Sequence, residues 1–479
     1  VGDLGEGLSQ YQKQGFCSFH TPGHKGQQEF FHDFDFCGFD LTELPGLDML
    51  HSPKGIIDQA QKRSAEIFGA DETFFLVGGG TVGNQAMFMS LTNTVNQVII
   101  ERSSHRSVMS ALVLSGLKPD YLKPIIHPDF NLPLGLDLRP ERFPWSNIAA
   151  CHVTYPSYYG TCIELRDLLN KRTNLAPDVP VFVDQAHGSH FMGFLFPASA
   201  LTLGADLVLH STHKTLAALT QSAMLHVQGS RVSRIRLRQS LELLQSSSPS
   251  YLLLASLERA GEYALDLWRW EYLKEEVENL QQRVGEKFRI LSQNDVGTYG
   301  IDALDWSKIL INTRPLGLPA SRCVEFLRGE FGLEPELWDE ENILFLLGIG
   351  NTPEDIRRLT RGLERLADCT QLLSLGSEHF RKNARDDRSD GFLLPPQILT
   401  PREAFFAKKR RVPLKESLGH IVGETISPYP PGIPIVVMGE QMTPEVLETL
   451  LVVEEGRWQG WEGCESRTIW IAEEEKGMS

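Results

Sequence analysis

The sequence predicts an α/β protein with a mostly parallel central sheet and helices on both faces. Three observations carry that expectation. From about residue 96 to 227, short β-branched runs alternate with helix-like segments. The runs NQVIIER, IAACHVTY, VPVFVDQAHG and ADLVLHS are almost continuously apolar, as strands covered on both faces must be. Each run ends in polar or small residues, and ligands of such sheets collect at the carboxyl ends of the strands.

The elements follow in chain order. The opening VGDLGEGLSQYQKQ is polar and Gly-rich, without the charged-then-apolar layout of a signal peptide, and residues 1–60 read as an N-terminal arm. Residues 61–270 read as a large domain that contains the four strands. It begins with FFLVGGGTVGNQAMFMSL (74–91), a strand that runs through three glycines into a helix. Beyond Tyr263, LWRWEYLKEEVENLQQRVGEKFRIL has apolar positions at helical spacing and is expected to join two domains as a long helix.

Residues 271–375 read as a smaller α/β domain, with WSKILIN and ENILFLLGIG as strands. Its helix TPEDIRRLTRGLERLAD has Thr352 placed as N-cap, Pro353 at the first helical position, and Glu354 and Asp355 at the positive end of the dipole. Ile356, Leu359, Leu363 and Leu366 form its buried stripe. The charged, Pro-ended HFRKNARDDRSDGFLLPP reads as a linker over 376–396. A C-terminal domain follows over 397–479, where SPYPPGIPIVVMGE is a proline-stiffened turn into a short strand.

The bulk properties narrow the function. A net charge of −16 and a pI near 5.4 oppose a phosphate-backbone partner such as nucleic acid. No apolar run approaches the ~20 residues that span a bilayer. Seven scattered cysteines without a CxxC pair point away from a metal site or a disulfide framework and toward a reducing, cytoplasmic setting. Cys151 reads as a small buried apolar residue.

Four stretches carry candidate chemistry. In GGGTVGNQ (78–85) the glycines let backbone amides approach an anion, the following helix N-terminus favours negative charge, and Thr81 adds a hydroxyl. Alone, the stretch is equally a tight strand-to-helix turn. In VPVFVDQAHGSH, Asp184 ends an apolar strand, where it is either a turn former or the partner of a buried cation. In HSTHKTLAALTQSA (210–223), Lys214 stands between His213 and hydroxyl-bearing neighbours. It is either a desolvated nucleophile or a lysine whose head reaches solvent. In ERSSHRSVMSAL, His105 follows a strand and can stack on a planar ligand. Together and in this order, the four supply a phosphate cradle, a ring cover, a carboxylate for a ring nitrogen and an amine. A pyridoxal 5′-phosphate (PLP) site needs those four contacts.

At this point the sequence resembles the Orn/Lys/Arg decarboxylase family, in its short form. The resemblance rests on FHTPGHKG (19–26), LDMLHSPKGII (47–57), GGGTVGNQ, SSHRS (103–107), DQAHGSH (184–190), HSTHKTLAALTQSA and PYPPGIP (428–434), and it covers nearly the whole chain. It implies the fold type I architecture of PLP-dependent transferases, with a small α/β domain and a C-terminal domain. The implied activity is decarboxylation of arginine, lysine or ornithine to agmatine, cadaverine or putrescine.

The resemblance also implies residue roles. Lys214 carries the cofactor, Asp184 faces its ring nitrogen, His105 stacks on the ring, and His213 lies beside it. Thr81, Val82, Gly83 and Ser211 hold the phosphate, Ala186 leaves room against one ring face, and His187 stands in the cofactor set. His24, Lys25 and Glu424 are candidates for the substrate, with turn-forming and solvated-loop roles as their alternatives. A homodimer or larger assembly is implied, with the site at the subunit interface. No wing domain precedes TPGHKG, so large ring assemblies are not expected. The chain departs from the family at Met49 beside Asp48, at His187 where an aromatic such as tryptophan is usual, and at Leu209 where a small residue is usual.

Overall fold

The computed structural model describes residues 4–91, 95–139, 145, 147–369, 392–428, 432–452 and 458–473. Its main sheet has seven strands: β1 (Glu72–Leu76), β2 (Gln97–Glu101), β3 (Lys118–Leu122), β4 (Ala150–Thr154), β5 (Val181–Asp184), β6 (Leu207–His210) and β7 (Ala223–Val227). In space the order is β1-β7-β6-β5-β4-β2-β3. The neighbours from β6 through β3 all pair in parallel, and β7 is antiparallel to both β6 and β1.

Alternation along each strand shows why the runs are apolar throughout. Val98, Ile100, Phe182, Leu207 and Leu209 enter one buried cluster, while Ile99, Val181, Val183 and Val208 enter another on the opposite face. Cys151 is fully buried in the second cluster. The residues that line the cavity come mainly from the strand ends, where polar groups escape the two cores.

Helix α1 (Leu4–Lys13) precedes the sheet, α2 (Gly79–Met89) follows β1, and α3 (Arg106–Ser115) follows β2. The long helix read beyond Tyr263 is α4 (Leu267–Val284), which buries Trp270, Leu273, Val277, Leu280 and Val284. It leads into a four-stranded antiparallel sheet of β8 (Arg289–Ile290), β9 (Lys308–Asn312), β10 (Leu337–Trp338) and β11 (Asn342–Leu346), in the order β8-β9-β11-β10. Helix α5 (Pro353–Asp368) has the expected cap. Thr352 accepts from Asp355 N while the Asp355 carboxylate accepts from Thr352 N, and Ile356, Leu359, Leu363 and Leu366 are buried.

The last unit has a three-stranded sheet of β12 (Lys409–Pro413), β13 (Ile421–Val422) and β14 (Thr468–Ala472) around its own core. It is fastened to the main sheet by a buried ion pair, in which Arg102 meets Glu440 through two hydrogen bonds of 3.1 and 2.9 Å. Most of the linker sequence and residues 429–431 of PYPPGIP lie outside the described residues. Among the described residues, no helix is long and apolar enough to cross a membrane.

Candidate active site

One cavity of about 720 Å³ gathers the strand-end residues of the main sheet. It is lined by Thr81, His105, Asp184, Ala186, His187, Ser211, His213 and Lys214, so eight of the sequence-predicted residues meet there.

The cradle is built by the turn after β1. Gly79 has a φ of +74°, which favours glycine, and α2 starts at this residue. The amides of Gly79, Gly80 and Thr81 therefore have no carbonyl one turn back to bond. A Cβ on Gly80 would come within 2.6 Å of Ser211 Oγ, so the missing side chain is what lets that hydroxyl pack against the turn. Val82 and Gly83, next along the helix, are absent from the cavity lining. The helix has turned them inward, with Val82 in the core and a Gly83 Cβ falling 2.3 Å from Leu209 Cδ1. Leu209, bulky where a small residue is usual, is accommodated by these glycines.

His105 is the N-cap of α3, and its Nδ1 accepts from Ser107 N at 3.2 Å. The ring is thereby oriented, with Nε2 as the other nitrogen. Burial, aided by the Lys214 charge, lowers its pKa to about 4, so it is a neutral ring at neutral pH.

Asp184 ends β5 and is buried. Its Oδ1 accepts from Ala186 N at 3.0 Å and its Oδ2 from Asn84 Nδ2 at 2.9 Å. Asn84 also donates to Ser107 Oγ at 2.9 Å, and its Oδ1 lies 3.3 Å from His152 Nε2. One amide thus ties the carboxylate to the loop that holds the ring of His105. The reading of the sequence missed Asn84. The available signal was a polar residue on the inward side of α2, within the quoted GGGTVGNQ.

Lys214 closes the short turn Thr212–Lys214 after β6. Its Nζ is 2.8 Å from His187 Nε2. Burial lowers its pKa, opposed by the carboxylates of Asp184 and Glu336. His213 Nδ1 bonds the carbonyl of Ser222 at 2.9 Å, which leaves Nε2 as its acceptor. Burial brings its pKa to about 4.

The facing wall comes from elsewhere in the chain. Tyr158 packs its ring edge-on to His187 at 4.7 Å and donates its hydroxyl to Glu336 Oε1 at 2.7 Å. Glu336 Oε2 accepts from Thr21 N at 2.8 Å. Lys308 Nζ lies 3.1 Å from His187 Nδ1. None of these three residues was read from the sequence.

Three expected substrate contacts fall outside this chain's cavity lining. Lys25 Nζ is used up on the carbonyls of His20 and Leu346, which pins the arm to β11, and burial lowers its pKa to about 7. His24 Nδ1 accepts from Gly26 N and its ring abuts Phe31. The stretch TPGHKG acts as a clamp: Gly23 N donates to His213 O at 2.7 Å, and a Cβ there would meet the Thr215 backbone at 2.5 Å. Glu424 lies in the C-terminal unit and accepts from Trp470 N at 2.9 Å. Burial raises its pKa to about 7.

Comparison with known proteins gives this architecture its relatives. The model of the Orn/Lys/Arg decarboxylase major domain matches residues 3–296, and that of the family's C-terminal domain matches 390–460. An arginine decarboxylase of Bacillus subtilis is 34% identical over 457 residues, covering 92% of this chain and 91% of its own length. The crystal structure of the Francisella novicida lysine decarboxylase LdcF superposes with a TM-score of 0.74 at 22% identity, covering 95% of this chain and 78% of its own. A structure of SPT with PLP reaches 0.56 at 13% identity, covering 74% of this chain and 88% of its own. The fold is that of the fold type I PLP-dependent transferases. Within that class, the chain belongs to the Orn/Lys/Arg decarboxylase family.

Proposed function

We propose that this protein is a PLP-dependent carboxy-lyase that converts arginine, lysine or ornithine to agmatine, cadaverine or putrescine with release of CO₂. One observation carries the reading. A partly buried amine, Lys214, and a buried carboxylate, Asp184, open onto the same cavity as a glycine-lined helix N-terminus.

The residues present fit the cofactor. The turn Gly79–Thr81 and the Ser211 hydroxyl line the same cavity, and a side chain on Gly80 would collide with that hydroxyl, so amides and hydroxyls suited to a phosphate stand together there. The two bonds that Asp184 accepts come from neutral donors, so its charge is left for a cation such as a protonated ring nitrogen. A neutral His105 can lie against an aromatic face, and Ala186 is small enough to leave room at the other.

When bound, the cofactor supplies a sink for the electron pair left as CO₂ departs. The chain's residues do the rest. Thr81 and Ser211, with the amides of Gly79 and Gly80, bind the phosphate. Asp184 holds a proton on the ring nitrogen, and Asn84 keeps that carboxylate aimed. Lys214 Nζ would hold the cofactor, and as a free amine it is a group that could carry a proton at the site. His213 Nε2 is a second proton-carrying group in the same lining.

A cationic substrate tail needs an anionic wall. Glu336, fixed by Tyr158 and Thr21, supplies one within this chain's own cavity. Arginine is the first substrate to try, given the Bacillus subtilis relative. The reading extends to a homodimer. The exposed apolar side chains of Phe36, Phe39, Leu41, Leu44 and Met49 support a second copy covering the arm.

The test is to incubate the PLP-loaded protein with each basic amino acid and identify the products. The expected result is the matching amine with an equivalent of CO₂. A keto acid without CO₂ would make it a transaminase instead.

A further inference from the structure

Lys308 is a buried titratable group that the mechanism above leaves unused. It opens β9, and its Nζ sits 3.1 Å from His187 Nδ1, while His187 Nε2 sits 2.8 Å from Lys214 Nζ. One imidazole therefore joins two lysine amines. That geometry restricts where the protons are. A neutral imidazole has one N–H and one lone pair, and an ammonium can only donate. Two ammonium groups cannot both bond one neutral ring, because one ring nitrogen already carries hydrogen. An imidazolium would require two free amines, and burial, reinforced by the two lysines, holds His187 neutral. At least one amine of the pair is the free base.

We propose that Lys308 is a positioning residue that keeps Lys214 unprotonated and returns a proton to it through His187. With the ammonium on Lys308 donating to Nδ1, the ring presents its Nε2–H to the Lys214 lone pair. The return step balances. Lys308 Nζ gives a proton to Nδ1, and Nε2 gives its proton to Lys214 Nζ. Two N–H bonds break and two form, the ring changes tautomer, and one positive charge moves from Lys308 to Lys214. The inference rests on Lys214 as the cofactor-bearing amine and deepens that reading.

The surrounding charges suit a shared proton. Asp184 and Glu336 face Lys214, and Asp305, Glu336 and the Cys162 thiol face Lys308. His105 and His213 face His187, along with the Tyr158 ring. Burial lowers both amines, bringing Lys308 to about 8.

The experiment uses the full chain, prepared without cofactor, as Lys308→Met, Lys308→Arg, His187→Phe and the Met/Phe double variant. Two quantities are read: the pH midpoint of the rate of PLP uptake, followed by visible absorbance, and the ¹⁵N shifts of the His187 ring. In Lys308→Met the midpoint is expected to rise by about one pH unit, making uptake at neutral pH about tenfold slower. The ring is expected to change from its Nε2–H to its Nδ1–H form. His187→Phe, which keeps the ring packed on Tyr158, is expected to shift the midpoint the same way, with little added in the double variant. Lys308→Arg keeps a permanent donor and is expected to stay near the parent. An unchanged midpoint in Lys308→Met, or an equal shift in Lys308→Arg, overturns the relay. If Lys308→Met does not fold, His187→Phe with an unchanged midpoint does the same. Failure of the parent to take up PLP would instead sink the functional reading, and the ¹⁵N shifts would still decide the proton arrangement.

Discussion

The two walls of the cavity are built in different ways. The main-sheet wall takes its groups from loops directly after strands: Gly79–Thr81 after β1, His105 after β2, Asp184 at the end of β5, and Ser211 to Lys214 after β6. The facing wall takes Thr21 from the arm, Tyr158 from the loop after β4 and Glu336 from beside β10, with Lys308 at the first position of β9 behind His187. On the first wall, chemistry sits where a buried parallel sheet has to place it. On the second, hydrogen bonds spanning 178 to 315 residues assemble it, as between Tyr158 or Thr21 and Glu336. The main-sheet wall is suited to a fixed cofactor, and the facing wall is suited to choosing a substrate.

Substitutions that separate the walls should separate these two duties. The largest effect is expected for Lys214→Ala, which should lose the visible absorbance of bound PLP and all turnover. A variant keeping that band would break the comparison at its root. Asp184→Ala should lower kcat by about 10²–10³ while leaving the unfolding midpoint nearly unchanged. Near-normal kcat would remove its role at the ring nitrogen. On the facing wall, Glu336→Gln should retain PLP absorbance yet lose roughly a hundredfold in kcat/KM for basic amino acids. Unchanged kcat/KM would move the cationic pocket elsewhere, with Glu424 of a second copy next in line.

Acid should act on the main-sheet side of the cavity. Burial places His105, His152 and His213 near 4, below the usual 6.5. The unfolded chain therefore binds protons that the folded chain refuses. The stability these rings contribute is fully present above 6.5 and is lost as pH falls toward 4, by about 1.4 kcal/mol per pH unit for each ring. Thermal unfolding across that window should show the decline, and a flat profile would mean the rings are charged when folded. The smallest effect is expected at a site remote from the cavity. Thr352→Ala removes the cap of α5 and should cost about 1 kcal/mol in chemical denaturation without altering turnover.

What was legible in the sequence follows the same division. Five of the seven strands of the main sheet, the long helix and the capped helix could be read because burial on two faces and a helix dipole each leave a local pattern. Lys214 and Asp184 stood out because a charge directly after an apolar run is costly without a partner. Lys308 and Glu336 left no such mark, since WSKILIN and LEPELW look like ordinary strand entries. Their meaning depends on Thr21, Tyr158 and His187, which only the fold brings near. Val82 and Gly83 belong to a motif whose helix begins at Gly79, and their Cβ positions face the core.

The most direct test of the central claim is to reduce the PLP-loaded protein with borohydride, digest it, and locate the pyridoxyl group by mass spectrometry. The expected result is a single modified lysine, Lys214. A label on Lys308 or Lys25, or none at all, would contradict it.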